Sequence, residues 1–121
     1  MAMIRLGEVE SRFADIIWNN EPLHSRELVK LCEEALDWKR STTYTVLRKL
    51  IDRGLFKNED GIVSSVISRQ EYDAMQSTLF VEESFDGSLP AFIAAFTRRK
   101  ALSPEEVSQI QKMIEEAAEE A

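Results

Sequence analysis

The chain has 121 residues, a formal net charge of -7 at pH 7 and a hydrophobic share of 44%, with two Trp and six Phe to fill a core. Four Gly and three Pro are too few for a disordered or fibrous chain. No apolar run approaches the roughly 20 residues that span a bilayer, and the opening MAMIRLGEVE lacks the apolar stretch of a signal peptide, so a cytoplasmic protein with no membrane partner is expected.

In chain order, a first helix is predicted from about Gly7 to Asn19, with Val9, Phe13, Ile16 and Ile17 spaced as one buried face and Trp18 beside it. NNEP breaks it. In HSRELVKLCEEAL, Ser25 is placed as N-cap and Glu27 suits the first turn. Leu28, Leu31 and Cys32 form the apolar stripe, and the helix should end near Ala35. The only cysteine, Cys32, excludes an internal disulfide and a cysteine-cluster metal site. On an amphipathic stretch beside Glu33 and Glu34 it reads as a buried, inert thiol.

A third helix starts in RSTTY and ends at Gly54, a suitable C-terminal cap. Val46, Leu47, Leu50 and Ile51 make its inner face, with Thr43 one turn earlier. Ser41, Thr42, Tyr44, Thr45, Arg48, Lys49 and Asp52 are left for the flanks and the outside. The period then changes: Leu55 and Phe56 open a strand, Asp60-Gly61 signals a type I′ hairpin, and IVSSVI returns as the second strand. Three short helices followed by a hairpin predict a winged helix-turn-helix.

Ser68 and Glu71 form a capping box opening a helix through about Glu82. After DGSLP, the segment PAFIAAFTRRK is apolar on a broad face. Ser103, Pro104 and Glu106 open a last helix carrying Val107, Ile110, Met113 and Ile114 before an acidic tail. The expected architecture is mostly α with a small β component (α+β): a winged-helix domain over 1–68 with a two-stranded wing, and a helical domain over 69–121. The latter is too small to cover Leu79, Phe80, Val81, Phe85, Leu89, Phe92, Ile93, Phe96 and Leu102 alone. A second copy is the economical cover, with Ile110 and Met113 joining the dimerisation surface. Folding back onto the winged helix is the alternative.

The charge is uneven. Residues 1–67 carry ten Lys and Arg against eleven Asp and Glu; residues 68–121 carry five against eleven. Within 38–57, Lys39, Arg40, Arg48, Lys49, Arg53 and Lys57 face Asp52 alone, a local +5 that calls for an anion. Catalysis has no support: His24 is the one histidine, reads as a turn residue and has no nucleophile near it in sequence, and no phosphate loop, metal-spaced histidine pair or cofactor motif exists. Double-stranded DNA suits the third helix. Ser41, Tyr44, Thr45 and Arg48 recur at groove-facing spacing, Arg48 suited to guanine and Thr45 to a thymine methyl or a hydrogen bond. Lys39, Arg40, Thr42 and Lys49, with Lys57 and Asn58 on the wing, complete the expected contacts. Glu59 and Asp60 are unfavourable beside phosphates, and Trp38 reads as a core anchor. Two other readings stand beside this one: a winged-helix protein-interaction module without DNA, and a repressor gated by a small molecule near Phe92 and Phe96.

The run DIIWNNEPLHSRELVKLCEEALDWKRSTTYTVLRKLIDRGL resembles the penicillinase-repressor family of bacterial transcriptional regulators, which includes the methicillin-resistance repressors. The resemblance rests on IIW closing the first helix, on Trp38, and on a pattern through Thr42, Thr45, Leu47, Leu50, Ile51 and Gly54. FDGSLPAFIAAFTRRKALSPEEVSQIQKMIEE matches the family's C-terminal pattern. It implies a homodimeric repressor on a palindromic operator, with Thr42 and Thr45 in the major groove and the wing on the backbone. It also implies control of β-lactamase or related resistance genes, and induction by proteolysis in the dimerisation domain. Two departures matter. The family's cleaved Asn-Phe bond corresponds here to Ala95-Phe96, which argues against cleavage there, and no sensor protease is named by the sequence. The C-terminal cysteine cluster of copper-responsive relatives is missing.

Overall fold

A computed structural model describes residues 5–120, with the side chains of the last two left aside. Met1–Ile4, where the search for a signal sequence begins, and Ala121 of the acidic tail lie outside the described residues. The elements run α1 (Glu8–Asn20), β1 (Leu23–His24), α2 (Ser25–Leu36), α3 (Arg40–Asp52), β2 (Phe56–Glu59), β3 (Ile62–Ser65), α4 (Arg69–Phe85), α5 (Leu89–Arg99) and α6 (Pro104–Glu120). Two compact units divide between Leu79 and Phe80, inside α4 rather than ahead of it.

In the first unit three helices and a small sheet enclose one core. Phe13, Ala14 and Ile17 of α1, Leu28 and Cys32 of α2, and Leu47 and Leu50 of α3 are buried, together with Leu23, Leu55, Phe56 and Val63. Thr43, one turn before Leu47, is buried too. Val9 was expected in this core but is 51% exposed. At 100° per residue, the stripe through 13, 14 and 17 runs back through position 10, so Glu10 takes the place the apolar pattern assigned to Val9. Trp38 lies half-buried against the core with its ring 5.4 Å from Phe13.

The sheet has three antiparallel strands in the order β1-β3-β2. The expected hairpin is its larger part, with Phe56 opposite Ser65 and Glu59 opposite Ile62. Asp60 and Gly61 both hold positive φ, 54° and 88°, as a two-residue type I′ turn requires. The third strand was not legible, because Leu23–His24 is too short to show alternation. It exists because Leu23 pairs with Val63 and His24 with Ile62.

That strand also changes the start of α2. His24, not Ser25, is the N-cap: its Nδ1 accepts the Arg26 N–H at 3.1 Å. Ser25 is instead the first helical residue, buried, with its N–H donated to the Gly61 carbonyl at 2.8 Å. Pairing of β1 fixes His24 in extended backbone, which is the conformation a cap needs. At the other end of the motif, α3 stops in a Schellman arrangement. Gly54 at φ 87° donates to the Ile51 carbonyl at 2.9 Å, and Leu55 to that of Leu50 at 3.0 Å.

The capping box at Ser68 and Glu71 forms as expected, each backbone N–H reaching the other side chain at 3.1 Å. The first turn of α4 is also tied to α1. Arg69 pairs with Asp15 and lies 5.4 Å over the Trp18 ring. Tyr72 stacks 5.5 Å from Trp18 and accepts the Leu6 N–H. Trp18 donates to the Ile67 carbonyl at 3.0 Å. The helix continues to Phe85, one turn past the expected Glu82.

The second unit has no interior of its own. No described residue after Val63 is buried. Phe80 and Phe85 of α4 meet Phe92 of α5 edge to face at 5.6 to 5.9 Å, and Phe96 adjoins Phe92 at 6.3 Å. Yet Phe96 remains 45% exposed and Met113 66%, with Phe80, Leu89, Ile93, Val107 and Ile114 open as well. Ser88 caps α5 through the Ala91 N–H, and Ser103 with Glu106 closes the capping box of α6.

Candidate nucleic-acid interface

The buried positions of α3 leave one outward face. Ser41, Thr42, Thr45, Arg48, Lys49 and Asp52 are all exposed on it, while Thr43, Leu47 and Leu50 seat the helix in the core. Ser41, Thr45, Arg48 and Asp52 follow one another at four, three and four residues, so they form a single stripe. The start of α3 has no acidic residue in its first turn and no side-chain cap, and Lys39 stands at the cap position. Unmet N–H groups, a helix dipole and an ammonium group therefore coincide there.

The individual groups are less free than the sequence implied. Thr45 donates its hydroxyl to the Ser41 carbonyl at 2.9 Å, so that proton is engaged within the helix although the residue is exposed. Tyr44 turns inward: it is half-buried against the core and its hydroxyl donates to Ser25 Oγ at 3.2 Å. Arg40 lies 5.6 Å over the Tyr44 ring. Lys49 Nζ is 2.9 Å from Glu10 Oε2, and Arg53 lies 3.6 Å from Glu10 Oε1. Lys39 and Arg48 have no acidic partner among the described residues, and neither does Asp52 a basic one.

On the wing, Lys57 pairs with Glu59 at 3.0 Å and both remain exposed. Asn58 has a local task, since its Oδ1 accepts the Gly61 N–H at 2.9 Å and closes the turn. The wing tip is held against the helix-turn-helix from behind. A Cβ on Gly61 would sit 2.8 Å from His24 Nε2, so the imidazole occupies the space a side chain would need. His24 was missed as a structural residue because its neighbours in sequence give no sign of the turn it packs against.

Two titrating groups are shifted by this packing. The Glu10 carboxyl lies below its usual range, held there chiefly by Lys49, then by the Gly7 N–H, against the opposing effect of burial. Burial pushes the Cys32 thiol up to about 11, opposed by the adjacent Thr43 hydroxyl, so the inert thiol expected from sequence is found in place.

The residues expected for dimerisation sit on α4, α5 and α6. Phe80, Leu89, Ile93, Phe96 and Met113 are exposed, Phe85, Phe92 and Ile110 half-buried, and Leu79 is half-buried at the end of the first unit. Phe92, Ile93, Phe96, Leu102 and Ile110, with Thr97 and Glu106, line a cavity of about 200 Å³ between α5 and α6. Ala95 and Phe96 both lie inside α5, so the bond between them is part of a helix. No described helix is long and apolar enough to cross a membrane.

A helix-turn-helix whose last helix carries an exposed hydroxyl and cationic face, followed directly by a hairpin wing, defines a winged-helix protein of α+β type. The sequence model of the penicillinase repressor family matches residues 6–116, and the chain belongs to that family of transcriptional repressors. It is similar to the penicillinase repressor of Bacillus licheniformis, 23% identical over 116 residues that cover 93% of this chain and 91% of the relative.

Proposed function

We propose that the chain is a homodimeric repressor that reads double-stranded DNA with α3. The observation that carries this reading is the outward stripe of Ser41, Thr45 and Arg48 beside the uncapped, cationic start of the same helix. Phosphates would be held by Lys39, Arg40, Thr42 and the first N–H groups of α3, fixing register without reading sequence. Arg48 would pair with guanine, and the exposed Thr45, its hydroxyl proton engaged by Ser41, would meet a thymine through its methyl. Lys57 would give the wing a backbone contact. Dimerisation through α4, α5 and α6 accounts for the open Phe80, Ile93, Phe96 and Met113. A two-fold dimer calls for a palindromic operator with half-sites about one helical turn apart, roughly 34–36 Å, or a multiple of it.

The name of the Bacillus relative directs the first operator search to DNA upstream of penicillinase genes. A gel shift against genomic fragments tests the reading. A discrete, salt-sensitive complex with one upstream region is expected, and binding to none of them would refute it. Among the described residues neither Lys39 nor Arg48 has an acidic partner, which favours DNA over a protein-interaction module.

A further inference from the structure

The six cations of the recognition region are not equivalent: Lys57 pairs with its strand neighbour Glu59, and one carboxylate from another helix engages two more. Glu10 lies in line with the buried stripe of α1, its side chain 20% exposed, and reaches across to the last turn of α3 and its C-cap. Oε1 accepts the Gly7 N–H at 3.1 Å, and Oε2 lies 2.9 Å from Lys49 Nζ. Arg53 stands 3.6 Å from the same carboxylate and donates to the Arg5 carbonyl at 2.7 Å. The C-terminal end of α3 is thereby supplied with a counter-charge from another helix, while Arg48, one residue before Lys49, has none among the described residues.

Resting on the DNA-binding reading above, we propose that Glu10 is a specificity-determining residue: it engages Lys49 and Arg53 so that they do not neutralise phosphates. Phosphate contacts supply affinity for any sequence, whereas discrimination comes from base contacts. Withdrawing two cations from the first class weakens non-specific binding and leaves the Ser41–Thr45–Arg48 stripe untouched. The ratio of specific to non-specific affinity rises as a result, and that ratio decides occupancy in a genome. From α1 the carboxylate holds the Lys49 ammonium at 2.9 Å while Lys49 itself stays on the exposed face of α3.

Salt dependence separates this role from simple stabilisation of the fold. Binding of a random-sequence duplex to the full chain is measured over a range of salt concentrations, with far-UV circular dichroism as a folding check. Glu10→Gln keeps the shape and still accepts the Gly7 N–H. It should bind the duplex more tightly, with a slope of log affinity against log salt steeper by about 0.9 for each cation released. Lys49→Met should keep the wild-type slope, because Lys49 is already engaged, and the double variant should lose the share of the gain that Lys49 carries. An unchanged slope in Glu10→Gln would overturn the proposal. So would a slope about 0.9 shallower in Lys49→Met, which would show Lys49 on a phosphate with Glu10 in place. If Glu10→Gln does not fold, Lys49→Met decides alone. Failure of the wild-type chain to bind either this duplex or any genomic fragment refutes the DNA-binding reading, and this inference with it; a complex with an upstream fragment but none with the random duplex overturns this inference alone, since no non-specific binding is left for Glu10 to restrain.

Discussion

Replacing Gly61 by Ala tests the link between wing and helix-turn-helix. Two costs add. Gly61 holds φ 88°, and an L-residue in left-handed backbone costs roughly 1–2 kcal/mol. The new Cβ would also stand 2.8 Å from His24 Nε2. The imidazole cannot move without giving up the Arg26 N–H that it caps, and a lost N-cap costs about 1 kcal/mol. Gly61→Ala should therefore destabilise by roughly 2–3 kcal/mol, and His24→Ala by about 1 kcal/mol. The cap can be lost only once, so the double variant should fall short of the sum by about 1 kcal/mol. Urea unfolding followed by tryptophan fluorescence measures this, since Trp18 and Trp38 both pack against the first unit's core. Strict additivity of the two substitutions would refute the reasoning, because it would mean that His24 and Gly61 do not compete for the same space.

Further outcomes follow from the same geometry. Arg48→Ala should weaken operator binding by about 1–3 kcal/mol with little effect on a random duplex, whereas Lys39→Ala should weaken both and flatten the salt slope by about 0.9. Equal loss on both duplexes from Arg48→Ala would remove it from base reading. Phe96→Asp should give a monomer in sedimentation velocity with operator binding lost, while the first unit keeps its unfolding transition; an intact dimer would move the interface elsewhere. Cys32 is neutral in the fold, with its pKa raised from 9.0 to about 11. Its contribution to stability is thus complete below about pH 9 and declines as pH rises toward about 11, because the unfolded thiol ionises first. Urea midpoints across that window should fall more steeply in the wild type than in Cys32→Ala, and parallel curves would contradict the assignment.

Much of this protein was readable from residue order alone. The three helical periods, the Asp60-Gly61 turn, the capping boxes at Ser68 and Ser103, and the stop at Gly54 are local devices. Each is decided by a few consecutive residues and by backbone conformations that neighbours impose. The outward face of α3 was legible for the same reason, since helical spacing separates Thr43, Leu47 and Leu50 from Ser41, Thr45 and Arg48. So was the shortage of core in the C-terminal half, a matter of counting apolar residues against chain length.

Tertiary structure alone decided the rest, wherever a partner lies far along the chain. β1 exists only because β3 returns beside it, and that pairing makes His24 the cap in place of Ser25. Tyr44 looked outward by spacing, yet Ser25, nineteen residues away, offers its hydroxyl a partner. Val9 has the right residue type for the core, but the face of α1 that meets its neighbours passes through Glu10 instead. Above all, the sequence summed the charges of 38–57 as if all were available. Folding brings Glu10 to Lys49 and Arg53, while Lys57 pairs locally with Glu59 two residues on, so among the described residues the unpaired positive charge is concentrated on Lys39, Arg40 and Arg48. Charge composition is local in sequence, but the field it produces depends on distances that only the packed chain sets.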